Sequence, residues 1–116
     1  MADPRVKVIK IKTGVVKRLT KEKVVYEQEA EKQKERVQKL KEEEKDEHII
    51  RKQEEVLQES MMMVPDCQRR LWKAYEELKG IIDNELDMAE NEDYMAAVKA
   101  LEDAKPQLPT IMANMS

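Results

Sequence analysis

A proline lies inside what otherwise reads as one long helix, yet the apolar pattern continues through it. Pro65 removes a backbone hydrogen bond and clashes with the carbonyl one turn back, at a cost of about 3 kcal/mol. The apolar positions keep a seven-residue step across it, at Ile50, Leu57, Val64, Leu71 and Leu78. A second row follows the same step, at Ser60, Cys67, Ala74 and Ile81. The sequence therefore predicts a helix that continues through Pro65 with a kink.

The composition is that of long helices with a thin core. Charged residues make up 41% of the 116 residues, and the sequence contains 2 Gly and no Phe. A chain of this length is at most one domain. We expect that domain to span residues 1–105, followed by a flexible tail over residues 106–116.

A first helix precedes this one. It starts either at Asp3-Pro4, an N-cap acceptor followed by proline, or only near Thr13, because Gly14 weakens the beginning. Its apolar row comprises Ile9, Val16, Leu19, Tyr26, Ala30, Val37 and Leu40, with Lys12, Lys23 and Gln33 as polar interruptions. The rows of the two helices are out of step by one residue, which predicts a turn across residues 43–47.

The second helix is predicted over residues 47–84, and a shorter third helix follows. Asp87 and Glu90 have the spacing of a capping box. The third helix presents one apolar face, at Tyr94, Ala97, Val98, Leu101 and Ala104, and ends before Pro106. Short turns make the three helices antiparallel neighbours. The predicted fold is all-α, an elongated up-down-up bundle of two long helices and a shorter third.

The unequal lengths leave half of the bundle uncovered. At about 1.5 Å per residue, the third helix is about half as long as the other two. It starts where the first helix starts and would stop near Pro65 and Cys67. Beyond that level we expect a two-helix arm that is open on one side and contains Met61 to Met63.

The sequence argues against an enzyme or a metal protein. One His and one Cys cannot make a Cys/His zinc set or a conventional triad, and two isolated glycines cannot cradle a phosphate. We predict no catalytic residue, cofactor or metal ligand. Cys67 lies on the apolar row and is interpreted as a small buried hydrophobe in preference to a reactive thiol. No apolar run approaches the roughly 20 residues of a membrane span, so no membrane partner is expected.

Charge is unevenly distributed. Residues 1–23 carry eight Lys/Arg against two acids, whereas residues 76–104 carry ten acids against two Lys. The predicted fold places these segments side by side, so neutralisation within the bundle is preferred over a nucleic-acid patch. No aromatic residue precedes Tyr26 to stack on bases among the lysines. No nucleic-acid partner is expected.

Some apolar residues fall outside the predicted rows, namely Val24, Val25, Met62 and Trp72. Trp72 either belongs to a binding hot spot or lies over lysine stems or under the third helix. Flexible methionine side chains on a surface suit a partner of irregular shape.

The segment Gln58–Leu71, read as QESMMMVPDCQRRL, resembles the central segment of the tubulin-specific chaperone A family, also called tubulin-folding cofactor A. Residues 9–19, with Tyr26 and Glu27, look like the N-terminal pattern of the same family. The resemblance covers roughly residues 5–105. Met61 and Trp72 depart from it, since the family usually has a basic and a polar residue there.

The resemblance implies a three-helix bundle that binds β-tubulin after its release from the cytosolic chaperonin. Such a protein holds the subunit in a near-native state for αβ-heterodimer assembly and uses neither nucleotide nor metal. It implies a cytoplasmic, cytoskeleton-associated protein, expected as a monomer with a dimer as the alternative. Our hypothesis for the partner-binding residues is Lys10, Lys12, Lys17, Gln58, Glu59, Met61, Met62, Asp66, Arg69, Arg70 and Trp72. We expect Pro65 to set the kink and not to touch the partner directly.

A different class of function also fits the pattern. The chain could be a coiled-coil scaffold or adaptor that self-associates through the open arm, with Gln33 or Gln53 setting the register. Three apolar rows of mismatched phase favour folding back within one chain instead.

Overall fold

The computed structural model describes residues 3–109, and none of these residues forms a β-strand. Three helices follow one another, α1 over Pro4–Glu42, α2 over Glu47–Asn84 and α3 over Glu92–Ala104. Short 3-10 turns lie at Leu86–Met88 and Lys105–Gln107. The helices pack antiparallel in an up-down-up bundle of 65 × 30 × 16 Å. The predicted elongated three-helix fold is confirmed.

Helix α1 starts at Pro4, the earlier of the two predicted positions. The Asp3 carboxylate accepts a hydrogen bond from the backbone N–H of Arg5 at 2.9 Å and caps the helix. The Arg5 side chain also donates to this carboxylate, and these bonds hold the pKa of Asp3 below its ordinary value. Gly14 lies inside the helix and does not delay its start.

The turn between α1 and α2 lies where the one-residue slip predicted it. Glu44 adopts a left-handed backbone conformation with φ of 53°, which reverses the chain without a glycine. The Asp46 carboxylate accepts from the backbone N–H of His48 at 2.8 Å and caps α2. Helix α2 then spans the predicted residues 47–84.

Helix α2 runs without interruption through Pro65, and its burial changes along its length. Its apolar row is buried between Cys67 and Leu78, where α3 covers it. In the other half, Ile50, Leu57 and Val64 are only half-buried. Among residues 3–109, this half is a two-helix arm with one open side, as predicted. The kink itself stays a prediction.

The start of α3 differs from the prediction. Asp87 and Glu90 do not form a capping box, because Leu86–Met88 is a separate 3-10 turn that buries Met88. The cap is Asn91, whose side-chain oxygen accepts from the backbone N–H groups of Asp93 and Tyr94 at 2.8 and 3.3 Å. Burial of Met88 fixes the chain before the cap, so the helix begins at Glu92.

The chain after α3 is held against the bundle. The Nζ of the buried Lys23 donates to Oε1 of Gln107 at 3.1 Å, and Nε2 of Gln68 donates to the Gln107 carbonyl at 3.3 Å. Leu108 is buried. The tail predicted from residue 106 therefore cannot begin before residue 109. Residues 110–116, the rest of that predicted tail, lie outside the described part of the chain.

The polar residue Gln33 in the α1 row is also satisfied within the chain. Gln33 is buried, and its Nε2 donates to the carbonyl of Gln53 at 3.0 Å and to its side-chain oxygen at 2.9 Å. Arg36 donates to the Gln33 side-chain oxygen at 3.2 Å. A buried amide with all these partners fixes the register of α1 against α2.

We expect Pro65→Ala to leave the bundle folded and to raise its free energy of unfolding by about 1–3 kcal/mol. The substitution restores a helical hydrogen bond and removes the ring clash inside α2. Urea unfolding followed by circular dichroism measures the change, with Glu59→Ala, an exposed site in the same helix, as the control. An unfolding free energy at or below that of the parent protein would contradict this account.

Candidate functional site

Three successive exposed methionines lie on α2. Met61, Met62 and Met63 expose 55%, 69% and 37% of their area. They lie close to the level of Gln107, whose carbonyl accepts a hydrogen bond from Gln68 of the same helix. Met63 is the least exposed of the three, although it too lies partly in solvent. We name Met61–Met63 the methionine surface.

The charged residues beside the methionine surface are paired among themselves. Asp66 accepts a hydrogen bond from Arg69 at 3.3 Å and forms an ion pair with Arg70, also at 3.3 Å, at three- and four-residue spacing. All three side chains are about half exposed or more. Gln58 and Glu59 are exposed on the same helix. Polar residues thus flank the three methionines on both sides along α2.

The basic residues of α1 are not brought together with the methionine surface. Lys12 pairs with Glu77 of α2 at 3.1 Å, and Lys10 lies 4.0 Å from the carboxylate of Asp93 in α3. Glu77 is 16 residues from Met61 along α2, or about 24 Å of helix. Lys10 and Lys12 therefore belong to the closed end of the bundle, and the structure does not place them in one site with Met61.

These pairs confirm the predicted neutralisation inside the bundle. Arg5 adds to them, since its guanidinium donates to Glu85 at 2.6 Å and to Asp87 at 3.0 Å. The basic start of α1 thus meets acids of α2, of the following turn and of α3. Such pairing weakens the positive field that a nucleic-acid patch would require.

Trp72 lies at the side of the core and not on a free surface. It is half-buried, packs against the core cluster and stacks on Tyr75 with 5.9 Å between ring centres and 14° between ring planes. Of the two interpretations, packing within the bundle is the one that the structure favours. Only the part of the indole that remains exposed is available to a partner.

Cys67 is fully buried at the centre of the covered half. Its thiol lies 3.6 Å from the carbonyl of Leu19, to which it can donate a weak hydrogen bond. Burial raises the pKa of the Cys67 thiol. The expected structural role of this cysteine is confirmed. Among residues 3–109, no cluster of three His, Cys, Asp or Glu side chains is placed to hold a metal ion.

Sequence reasoning missed a groove between α1 and α3. Val24 and Val25 fall outside the apolar row of α1, and the structure places them beside Ala100 of α3 in an open groove. The outward valines were the only signal in the sequence. Their partner on α3 could not be found from the period of α1. We name this the α1–α3 groove.

Comparison with known proteins gives a consistent result. The family model described as "Tubulin binding cofactor A" matches residues 4–101. The chain belongs to the tubulin binding cofactor A family. The match covers α1, α2 and most of α3, which is the part that forms the bundle.

Individual members of the tubulin binding cofactor A family are similar over nearly their whole length. "Tubulin-specific chaperone A" of Rattus norvegicus is 56% identical over 105 residues, which are 90% of this chain and 97% of that protein. The solved structure of "human tubulin chaperone cofactor a" superposes with a TM-score of 0.79 at 53% identity, covering 88% of this chain and 99% of that one. The structure of tubulin folding cofactor A from Arabidopsis thaliana superposes with a TM-score of 0.82 at 33% identity. This match covers 88% of this chain and 96% of that one.

We expect Cys67 to react with iodoacetamide at least about a hundredfold more slowly in the native protein than in urea. Burial excludes the reagent and disfavours the thiolate, so reaction requires opening of the bundle. Mass spectrometry of timed samples measures the rate, with glutathione under both conditions as the control. A native rate close to that in urea would show that the thiol is accessible.

Proposed function

We propose that this protein binds β-tubulin released from the cytosolic chaperonin and holds it in a near-native state for αβ-heterodimer assembly. It acts by binding alone, in the cytoplasm and in association with the cytoskeletal assembly machinery. The observation that carries the proposal is the methionine surface, three exposed apolar residues in succession on α2, in a member of this family. Among the described residues, no helix is long or apolar enough to cross a bilayer.

The methionine surface suits a client that has not reached its final shape. A methionine side chain has three rotatable bonds and a polarizable sulfur, so it packs against surfaces of varied form. Met61 and Met62 are held on a helix whose other face is fixed by the α1–α2 seam, so the backbone of the site is rigid while its side chains adapt. Apolar contact of this kind can cover tubulin surface that is buried after heterodimer assembly.

Among the basic residues of the partner-binding hypothesis, we assign electrostatic steering to Lys17. Lys10 and Lys12 pair with carboxylates of the bundle, and Arg69 and Arg70 share Asp66. Lys17 is exposed and has no carboxylate within 4.0 Å among residues 3–109. Because tubulin is acidic, an unpaired lysine attracts it more strongly than one beside a carboxylate.

The self-associating scaffold remains the second candidate, and the structure offers it less support. Gln33 and Gln53, the residues that could set the register of a dimer, hydrogen-bond to each other within one chain. The open arm still exposes Ile49 and Val56, so the oligomeric state must be measured.

We expect the purified protein to be a monomer that forms a one-to-one complex with dissociated β-tubulin. Size-exclusion chromatography with light scattering measures both masses, and bovine serum albumin, another acidic protein, serves as the control client. A stable dimer that does not bind tubulin would contradict the proposal and favour the scaffold.

We expect the double substitution Met61→Gln and Met62→Gln to weaken tubulin binding about tenfold while leaving the unfolding midpoint unchanged. The two side chains are more than half exposed, so their replacement removes apolar contact with a partner and little core packing. Biolayer interferometry measures the affinity. The control is Ile49→Gln. Ile49 is an apolar residue of α2 that is 51% exposed and lies outside the methionine surface. Equal affinities for the double variant and the control would show that the methionine surface does not bind tubulin.

A further inference from the structure

The α1–α3 groove is an open, largely apolar depression of about 440 Å³. It lies on the bundle between two helices, and both helices contribute to it. Its lining comprises Lys17, Thr20, Lys21, Val24, Val25, Ala100 and Asp103.

The floor of the groove is more apolar than folding requires. Val24 is half-buried and Val25 is 46% exposed, and neither belongs to the apolar row that α1 packs against α2. Ala100 of α3 is buried at 3% exposure and supplies a small side chain, which leaves the space above it open. Val24 and Val25 form a shallow apolar surface beside Ala100, and neither valine belongs to the central core cluster.

The rim of the groove is positively charged. Lys17 and Lys21 are exposed, and within the described residues neither has a carboxylate within 4.0 Å. The acid on the opposite rim, Asp103, lies 3.4 Å from Lys99 of its own helix. This contrasts with Lys12, which pairs with a carboxylate of another helix. The groove therefore keeps two uncompensated cations over an apolar floor.

The register of α1 against α2 places the groove at the level of the methionine surface. Leu19 lies beside Cys67, and Gln33 lies beside Gln53. Fourteen residues separate Leu19 from Gln33, and the same number separates Gln53 from Cys67. By this register, Val25 lies at the level of Met61. Two exposed apolar surfaces on different helices thus share one cross-section of the bundle.

We propose that the α1–α3 groove is a second docking surface for the tubulin client and takes an acidic segment that presents apolar side chains on one face. This inference rests on the proposed function. The apolar floor receives the apolar face, while Lys17 and Lys21 attract the carboxylates beside it. The client is then bound from two helices at one level of the rod.

The chemistry of the groove selects this occupant over others. A basic segment would face two uncompensated lysines at the rim. A nucleic acid would use the lysines but would find no aromatic side chain in the lining on which to stack a base. A segment that carries both acidic and apolar side chains matches the rim and the floor together.

The decisive experiment measures the binding of dissociated β-tubulin to full-length variants by biolayer interferometry at low and physiological salt. We expect Lys17→Glu with Lys21→Glu to weaken binding about tenfold or more, with a larger effect at low salt. The matched control, Lys34→Glu with Lys39→Glu, makes the same charge change on an exposed part of α1 outside the groove. The control variant should bind within about twofold of the parent protein. Circular dichroism confirms that all variants are folded.

A second pair of variants tests the apolar floor without changing charge. We expect Val25→Ser to weaken binding severalfold, whereas Val56→Ser, at a site of 39% exposure on the open arm, should not. Equal effects of the groove variants and their controls, with the parent protein still binding tubulin, would overturn the second docking surface alone. Failure of the parent protein to bind tubulin would instead overturn the proposed function.

Discussion

The short third helix determines how the rest of the molecule is organised. Helices α1 and α2 contain 39 and 38 residues, whereas α3 contains 13, so α3 can cover only part of the pair. Hydrogen bonds from Lys23 and Gln68 to Gln107 hold the end of this cover in place. On the covered side the core is closed and Cys67 is inaccessible. Beyond it the arm has two helices and buries its apolar row only in part.

The exposure of Met61, Met62 and Met63, near the end of the covered half, follows from the short third helix. Met61 and Met62 lie near the level at which α3 ends, and both are more than half exposed among the described residues, so they are available to another molecule. Val24 and Val25 are in a related position, because α3 passes beside them and leaves a groove. If these side chains bind a partner as proposed, the backbone of the surface is already helical and does not need to be ordered on association.

The sequence predicted the elements of α1 and α2 well, because their signals are local or periodic. The seven-residue step through Pro65 and the one-residue slip before Glu47 need no knowledge of neighbours. The start of α3 was predicted four residues too early, since burial of Met88 depends on tertiary contacts. The separation of Lys12 from Met61 and the joining of Val25 to Ala100 also depend on the register between helices. Spacing within one helix does not contain that information.

The ion pairs distinguish two groups of basic residues in α1, those paired with carboxylates of the bundle and those that have no such partner among residues 3–109. Exposed pairs such as Lys12 with Glu77 contribute little to stability, typically less than about 1 kcal/mol. Their larger effect is to cancel the field of the basic helix start at the closed end of the bundle. Lys17 and Lys21 lack such partners among the described residues, so their field extends into solvent next to an apolar floor. Under the proposed function, an acidic client approaching the rod is attracted to the level of the groove and of Met61, where apolar contact is also available.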